Sequence, residues 1–313
     1  MKKLKKVFID GSAGTTGLRI VERLEGRDDI EFIRLPEKYR KSEIHRKEAL
    51  NNSDAVFLCL PDKAAIEAVT MIENPHTVVI DASTAHRTNE GWTYGYPELS
   101  KDIEDKIRKS KRISNPGCHA SGFTALVYPL IEMGLLDKTA RLTCHSITGF
   151  SGGGRTMIEE YGTQVRSTHL DSPRQYGIGQ EHKHLVEMQS ISGLVTPPVF
   201  CPIVSDFYSG MLVTVPIFKE DLAKKASLAD IRQVYKYKYT GPVVKYVEDA
   251  SEGGFISANR LEGKDSMQVM VEGNNDRMLL MARYDNLGKG ASGAAIQSLN
   301  LVFGTDIAYG LTL

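Results

Sequence analysis

Hydrophobic positions follow two regimes along this chain of 313 residues. In the first third, short apolar runs alternate with helical spacing. VFID (7–10), IEFIRL (30–35), AVFLCL (55–60) and TVVIDAS (77–83) read as strands, the third with no polar face at all. Between and after them lie helical patterns. TGLRIVERLEG carries Leu18, Val21 and Leu24 at helical spacing and stops at Gly26. KAAIEAVTMI (63–72) stops at Asn74-Pro75, and Leu99, Ile103 and Ile107 mark a further amphipathic helix. Strands alternating with helices predict a parallel sheet covered on both faces.

From Phe123 a helical apolar face (Leu126, Val127, Leu130, Ile131) runs to Gly134. The pattern then changes period. RLTCHSITGF (141–150), PVFCPIV (198–204), SGMLVTVPIF (209–218), SMQVMVEG (266–273) and RMLLMARYDN (277–286) are longer and often alternate, which suits an antiparallel or mixed sheet. Helices are expected near 183–192 and 227–238, and GKGASGAAIQSLNLVFG (288–304) reads as a glycine-rich turn entering a helix. The expected class is therefore α/β, a Rossmann-like parallel sheet plus an α+β domain, and the length agrees with two domains.

Composition narrows the partners. Lys plus Arg and Asp plus Glu both number 39, so no net charge draws the chain to nucleic acid or an anionic membrane. No apolar run approaches the ~18 residues of a membrane span. The N-terminal run ends in Asp10-Gly11 rather than a small-residue cleavage site, so no signal peptide is expected. The cysteines, at 59, 118, 144 and 201, lack C-x-x-C spacing and read as thiols in a reducing, cytoplasmic setting.

Two stretches carry candidate chemistry. Gly11, Gly14 and Gly17, with Ser12, Ala13, Thr15 and Thr16 between them, sit at a strand-to-helix turn. Such a turn lets backbone N–H groups meet a pyrophosphate at the positive end of a helix. Where an NAD site places an acid after its second strand, this chain has Arg34, then Lys38, Arg40 and Lys41, so NADP(H) is the expected cofactor. The second stretch is ISNPGCHASGF (113–123). Pro116-Gly117 delays the helix until Cys118, whose thiolate the helix N-terminus would stabilise, and the same N–H groups suit an oxyanion. Cys59, Cys144 and Cys201 lie in strand-like runs and read as packing. His184 and His182, then Glu181, in GQEHKHLVE are the candidate proton carriers, both imidazoles pointing one way from an extended segment. No third ligand follows at metal-binding spacing, so no metal is expected. Arg87 and the SGGGR turn (Ser151 to Arg155) offer cations and N–H groups to an anionic substrate, although an ion pair and a hinge explain them equally simply.

GSAGTTG, DASTAHR (81–87), YGYPEL (94–99), SNPGCHASG (114–122), the H-K-H pair and NLGKGASGAA (286–295) occur in one order over nearly the whole chain. Together they resemble the shorter branch of the N-acetyl-γ-glutamyl-phosphate reductases. The resemblance implies NADPH-dependent reduction of N-acetyl-L-glutamyl 5-phosphate to the 5-semialdehyde through a cysteinyl thioester, in arginine biosynthesis. It implies a cofactor domain of residues 1–116 and 286–313 and a catalytic and oligomerisation domain of 117–285. It makes Cys118 the nucleophile and His184 the acid–base. Ser83 and Asn286 fall to the cofactor, and Arg87, Asn115, Ser151, Arg155, Glu181 and His182 to the substrate. It also implies a homodimer or homotetramer. His119 stands where the longer branch has an aromatic residue, and 155–180 aligns poorly with that branch. The alternatives are an aspartate-semialdehyde dehydrogenase-type enzyme and a non-catalytic NADP sensor.

Overall fold

The computed structural model describes residues 4–223 and 226–313, which divide into two compact units. The first unit takes residues 1–116 and 291–311, and the second takes 117–290 with 312–313. Residues 286–290 thus count with the second unit.

In the first unit, β1 (Lys5–Asp10), β2 (Ile30–Ile33), β3 (Ala55–Leu58), β4 (Val78–Asp81), β5 (Thr93–Tyr94) and β6 (Arg112–Ser114) form one sheet. Its order is β2-β1-β3-β4-β6-β5 and every pairing is parallel. β3 and β4 are buried along their whole length, as strands covered on both faces must be. The helices are α1 (Thr15–Leu24), α2 (Glu43–Asn51), α3 (Asp62–Thr70) and α4 (Lys101–Lys109), with α9 (Gly293–Phe303) returning from the far end of the chain. Ala295, Ile296 and Leu299 of α9 share one core with Val7, Phe57, Ile80 and Ile113. Strand order reverses direction at β1, between β2 and β3, which is where open parallel sheets leave a crevice at their carboxyl ends.

In the second unit, β7 (Thr143–Gly149), β8 (Arg174–Gln175), β9 (Val199–Ser205), β10 (Met211–Phe218), β11 (Val244–Tyr246), β12 (Met267–Gly273) and β13 (Arg277–Tyr284) run in the order β11-β12-β13-β10-β7-β9-β8. The sheet is mixed: β7–β9 and β11–β12 pair in parallel and the rest antiparallel. Met211, Val213, Val215 and Ile217 alternate with less buried neighbours, so one face of β10 enters the core. That face packs on α5 (Cys118–Glu132); α6 (Gly154–Gly162), α7 (His184–Ser192) and α8 (Leu228–Lys238) complete the unit.

α5 is buried nearly all round, and it tolerates Pro129 in its interior. Pro129 has no N–H for the carbonyl of Ala125. The Tyr239 hydroxyl donates to that carbonyl instead at 2.5 Å, and Tyr235 donates to Leu126 at 2.6 Å.

Candidate active site

Cys118 is the first residue of α5, with Gly117 in extended backbone as its N-cap. The pattern of turn residues before and apolar spacing after it produces this start. A thiol here faces first-turn N–H groups and the positive end of a 15-residue helix. Both favour the thiolate. The thiols of Cys144 in β7 and Cys59 beside β3 meet the opposite condition. Burial, with Asp81 and Asp10 nearby, pushes Cys59 up to about 12, and burial and Cys201 push Cys144 higher still.

Two imidazoles meet Cys118, one from its chain neighbour His119 and one from the distant His184. Its sulfur and one ring nitrogen each of His119 and His184 all lie within 4.8 Å of one another, with both histidines buried and Cys118 half-buried. His119 is held at both ends, Nδ1 to the Ser146 hydroxyl and Nε2 to the Tyr176 hydroxyl, each at 2.6 Å. Burial, and then the neighbouring His182, hold His119 down at about 3, so it is a neutral imidazole at physiological pH. The His182–His184 segment is a turn entering α7 rather than an extended run. The rings still meet, 4.7 Å between centroids, because His182 Nδ1 accepts the His184 backbone N–H at 3.2 Å. Glu181 is exposed.

Two further anchors fix the helix start. Glu187, one turn beyond His184 and 1% exposed, accepts the Gly117 N–H at 2.7 Å. The Tyr284 hydroxyl donates to the Cys118 carbonyl at 2.5 Å and accepts the Gly122 N–H at 3.0 Å. A Cβ on Gly290 would stand 3.1 Å from Cys118 Cβ, so a side chain there would press on the residue that carries the thiol. Asn286 belongs to the same unit. Its Oδ1 accepts from Gly210 N at 2.9 Å and its Nδ2 donates to Ser151 Oγ at 2.9 Å, which ties the Ser151 turn in place. Arg155 stands exposed at the start of α6 and pairs with Glu159 at 2.7 Å.

The first unit holds the other candidates. Its crevice of about 600 Å³ is lined by Asp10, Gly11, Ser12 and Ala13 together with Arg34, Lys38, Arg40, Lys41 and Arg46. Gly14 caps α1, and Thr15 and Thr16 open it. A Cβ on Gly11 would fall 2.2 Å from the Cys59 carbonyl oxygen, and one on Gly17 would fall 2.4 Å from that of Gly11. The two glycines thus let the backbone of the turn pack against itself and against Cys59 where no side chain fits, as a close approach to a pyrophosphate requires. Arg46 pairs with the buried Asp10 at 2.7 Å and offsets the charge of that carboxylate. The residues present fit a dinucleotide with a 2′-phosphate. Ser83 is buried and donates to Asp81 at 2.7 Å, and the Asp81 carboxylate also meets His86 at 2.6 Å. Arg87 donates from Nε to the Asn115 carbonyl at 3.0 Å. Asn115 is buried, gives its amide to Ala291 at 3.0 Å, and keeps Oδ1 without a hydrogen-bond partner.

Known proteins divide along the same lines. Residues 29–107 match the semialdehyde dehydrogenase NAD binding domain, and residues 118–286 match the semialdehyde dehydrogenase dimerisation domain. N-acetyl-γ-glutamyl-phosphate reductase of Trichormus variabilis is 43% identical over 98% of this chain and 99% of its own length. N-acetyl-γ-glutamyl-phosphate reductase 2 of Pseudomonas putida is 40% identical over 97% and 98%. The chain belongs to the N-acetyl-γ-glutamyl-phosphate reductase family. Its fold is that of aspartate semialdehyde dehydrogenase II of Vibrio cholerae, solved in complex with ASA, which superposes with a TM-score of 0.75 over 96% of this chain and 99% of the other at 16% identity. The aspartate semialdehyde dehydrogenase of Candida albicans, solved with NADP, gives 0.66 over 97% and 100% at 14%.

In this family member, pattern reading passed over Arg46, Glu187, Tyr176 and Tyr284. Arg46 lay within reach, because it continues the cationic run from Arg34. The other three act across the fold and left no local signal.

Proposed function

We propose that this protein reduces N-acetyl-L-glutamyl 5-phosphate with NADPH to N-acetyl-L-glutamate 5-semialdehyde and phosphate, in arginine biosynthesis. The observation that carries the reading is a thiol at the first position of α5 with a His184 ring nitrogen within 4.8 Å. His119 is neutral and bound at both nitrogens, so the thiol proton goes to His184. The sulfur forms a bond to the acyl carbon, and the carbon–oxygen bond to phosphate breaks. His184 hands its proton to the departing phosphate oxygen, leaving a thioester on Cys118. NADPH, when bound, supplies the hydride that reduces this carbonyl. The resulting oxyanion is stabilised by the first-turn N–H groups of α5. Reforming the carbonyl breaks the carbon–sulfur bond, the aldehyde leaves, and the thiolate regains a proton from solvent.

Gly11, Gly14 and Gly17, with Ser12, Ala13, Thr15 and Thr16, would hold the pyrophosphate, and Arg34 with its neighbouring cations the 2′-phosphate. We assign Ser83 and Asn286 to the cofactor, Arg87 and Asn115 to the substrate phosphate side, and Ser151, Arg155, Glu181 and His182 to the rest of the substrate. Arg34→Glu is expected to raise the NADPH KM by about 10- to 100-fold, the worth of a charge-assisted hydrogen bond, and to leave NADH use nearly unchanged. Equal effects on both cofactors would remove Arg34 from the phosphate site.

The substrate assignment is tested in reverse, with NADP⁺, phosphate and either N-acetylglutamate semialdehyde or aspartate semialdehyde. The expected kcat/KM ratio favours the first by on the order of 10³, as for sites whose polar groups a wrong substrate leaves unpaired. Parity between the two would overturn it. No helix among the described residues is long and apolar enough to cross a membrane. We place the protein in the cytoplasm, in keeping with its four thiols. We also infer a homodimer or homotetramer built on the second unit, where the dimerisation domain matches. Phe218 and Leu279 there expose apolar surface on one face of β10 and β13.

A further inference from the structure

We propose that Cys118, His119 and His184 form a binding site for a borderline-soft divalent cation, Zn²⁺ above all. In sequence, the two histidines flanking Lys183 are followed by no third ligand at metal-binding spacing. The fold supplies what spacing lacks: it pairs His184 with the adjacent residues Cys118 and His119, 66 and 65 positions upstream by residue number.

One thiolate and two imidazoles are a donor set that zinc prefers, with tetrahedral Zn–S near 2.3 Å and Zn–N near 2.0–2.1 Å. That geometry sets ligand atoms about 3.3–3.6 Å apart. The three donor atoms here lie within 4.8 Å of one another, so side-chain rotations that close the gap by no more than about 1.5 Å seat the ion. The outer shell is already built. Whichever His119 nitrogen turns to the metal, the other keeps a hydroxyl partner, Tyr176 or Ser146, which holds the ring in place. Glu187 accepts the N–H of the residue preceding Cys118 and so fixes the backbone that carries the sulfur. Cys118 is half-buried whereas both histidines are buried, so one side of the tripod faces outward. A water takes that fourth position, as in three-ligand zinc sites generally. On binding, the sulfur–hydrogen bond is exchanged for a sulfur–zinc bond, the proton passes to solvent, and no electrons change hands.

The consequence for turnover rests on the proposed function: a zinc-bound sulfur cannot attack an acyl phosphate, so the ion is a reversible inhibitor that competes with the acyl substrate. Binding and inhibition are read separately. The reduced full-length protein is titrated with Co²⁺ as the spectroscopic probe. One equivalent per chain is expected, with an intense near-ultraviolet thiolate-to-cobalt band that Cys118→Ser abolishes. His119→Asn and His184→Asn should each weaken binding by at least about tenfold, since even an outer-shell loss costs that much. Zn²⁺ should displace the cobalt and, in the unaltered protein, shield Cys118 from iodoacetamide until a chelator is added. That second measurement needs no variant to fold. A thiolate band that survives Cys118→Ser, or alkylation unaffected by saturating Zn²⁺, would overturn the site. Bound Zn²⁺ with undiminished turnover would support the site and overturn Cys118 as the nucleophile.

Discussion

Replacing the Cys118 sulfur by oxygen should abolish reduction and spare cofactor binding. Cys118→Ser is expected to lower kcat by on the order of 10⁴-fold or more, the range seen when a covalent nucleophile is removed. Serine fits the same position and can also open a helix, so α5 and its anchors at Glu187 and Tyr284 should persist. The hydroxyl stays protonated near neutral pH, and a helix N-terminus does not shift it far enough to make it a comparable nucleophile. NADPH affinity, which resides in the first unit, should change by less than about twofold, in line with substitutions remote from a site. A second measurement isolates the thioester. Without NADPH, the unaltered protein should release one phosphate per chain from the acyl phosphate and stop, while Cys118→Ser releases none. Turnover within about tenfold of the parent would remove the covalent route, and a non-catalytic NADP sensor would show no phosphate burst in either protein.

Local punctuation carried most of the fold. Gly11 to Gly17 after VFID announces β1–turn–α1, and Pro116-Gly117 announces the start of α5, because glycine and proline act through a single residue's backbone. The second sheet was legible as antiparallel or mixed from period-two burial alone, and it is mixed. α2 went unread because EIHRKEALN buries only Ala49 and Leu50 and shows almost no apolar stripe. β5 and β8, two residues each, are too short to show a period. The expected extended H-K-H run is a helix entry, for which a histidine rather than a serine or aspartate accepts the first N–H. At the thiol, sequence indicated a candidate nucleophile and a candidate base but not their shared neighbourhood. His119 carried no role from its place beside the thiol, and α7 brings His184 to meet it. Glu187 to Gly117 spans 70 residues and Tyr284 to Cys118 spans 166, and such contacts exist only once the sheets have formed.

The reciprocal of the thiol variant lies in the cofactor turn. Gly17→Ala should destroy NADPH binding and leave Cys118 reactive. The added methyl carbon would sit 2.4 Å from the Gly11 carbonyl oxygen and 2.8 Å from Ser12 Cα. Both are backbone atoms, so no side-chain rotation relieves the clash, and the turn itself has to open. Gly11 cannot yield toward β3, because its φ of +88° and its approach to the Cys59 carbonyl already fix it. On the proposed reading the N–H groups of this turn meet the pyrophosphate, so their displacement forfeits several hydrogen bonds together. An NADPH affinity loss of at least about 100-fold is expected, equivalent to roughly 2.7 kcal/mol. Fluorescence titration of NADPH reads it directly. The second unit has its own sheet and helices, so the rate of Cys118 alkylation by iodoacetamide and the cofactor-independent phosphate burst should match the parent protein. Those two readouts also guard against global unfolding, which would alter both. Near-parental NADPH affinity would show that the glycine turn does not carry the pyrophosphate. A lost burst in a protein that remains folded would show that acylation of Cys118 needs an intact cofactor turn, and the assignment of binding to one unit and covalent chemistry to the other would fail.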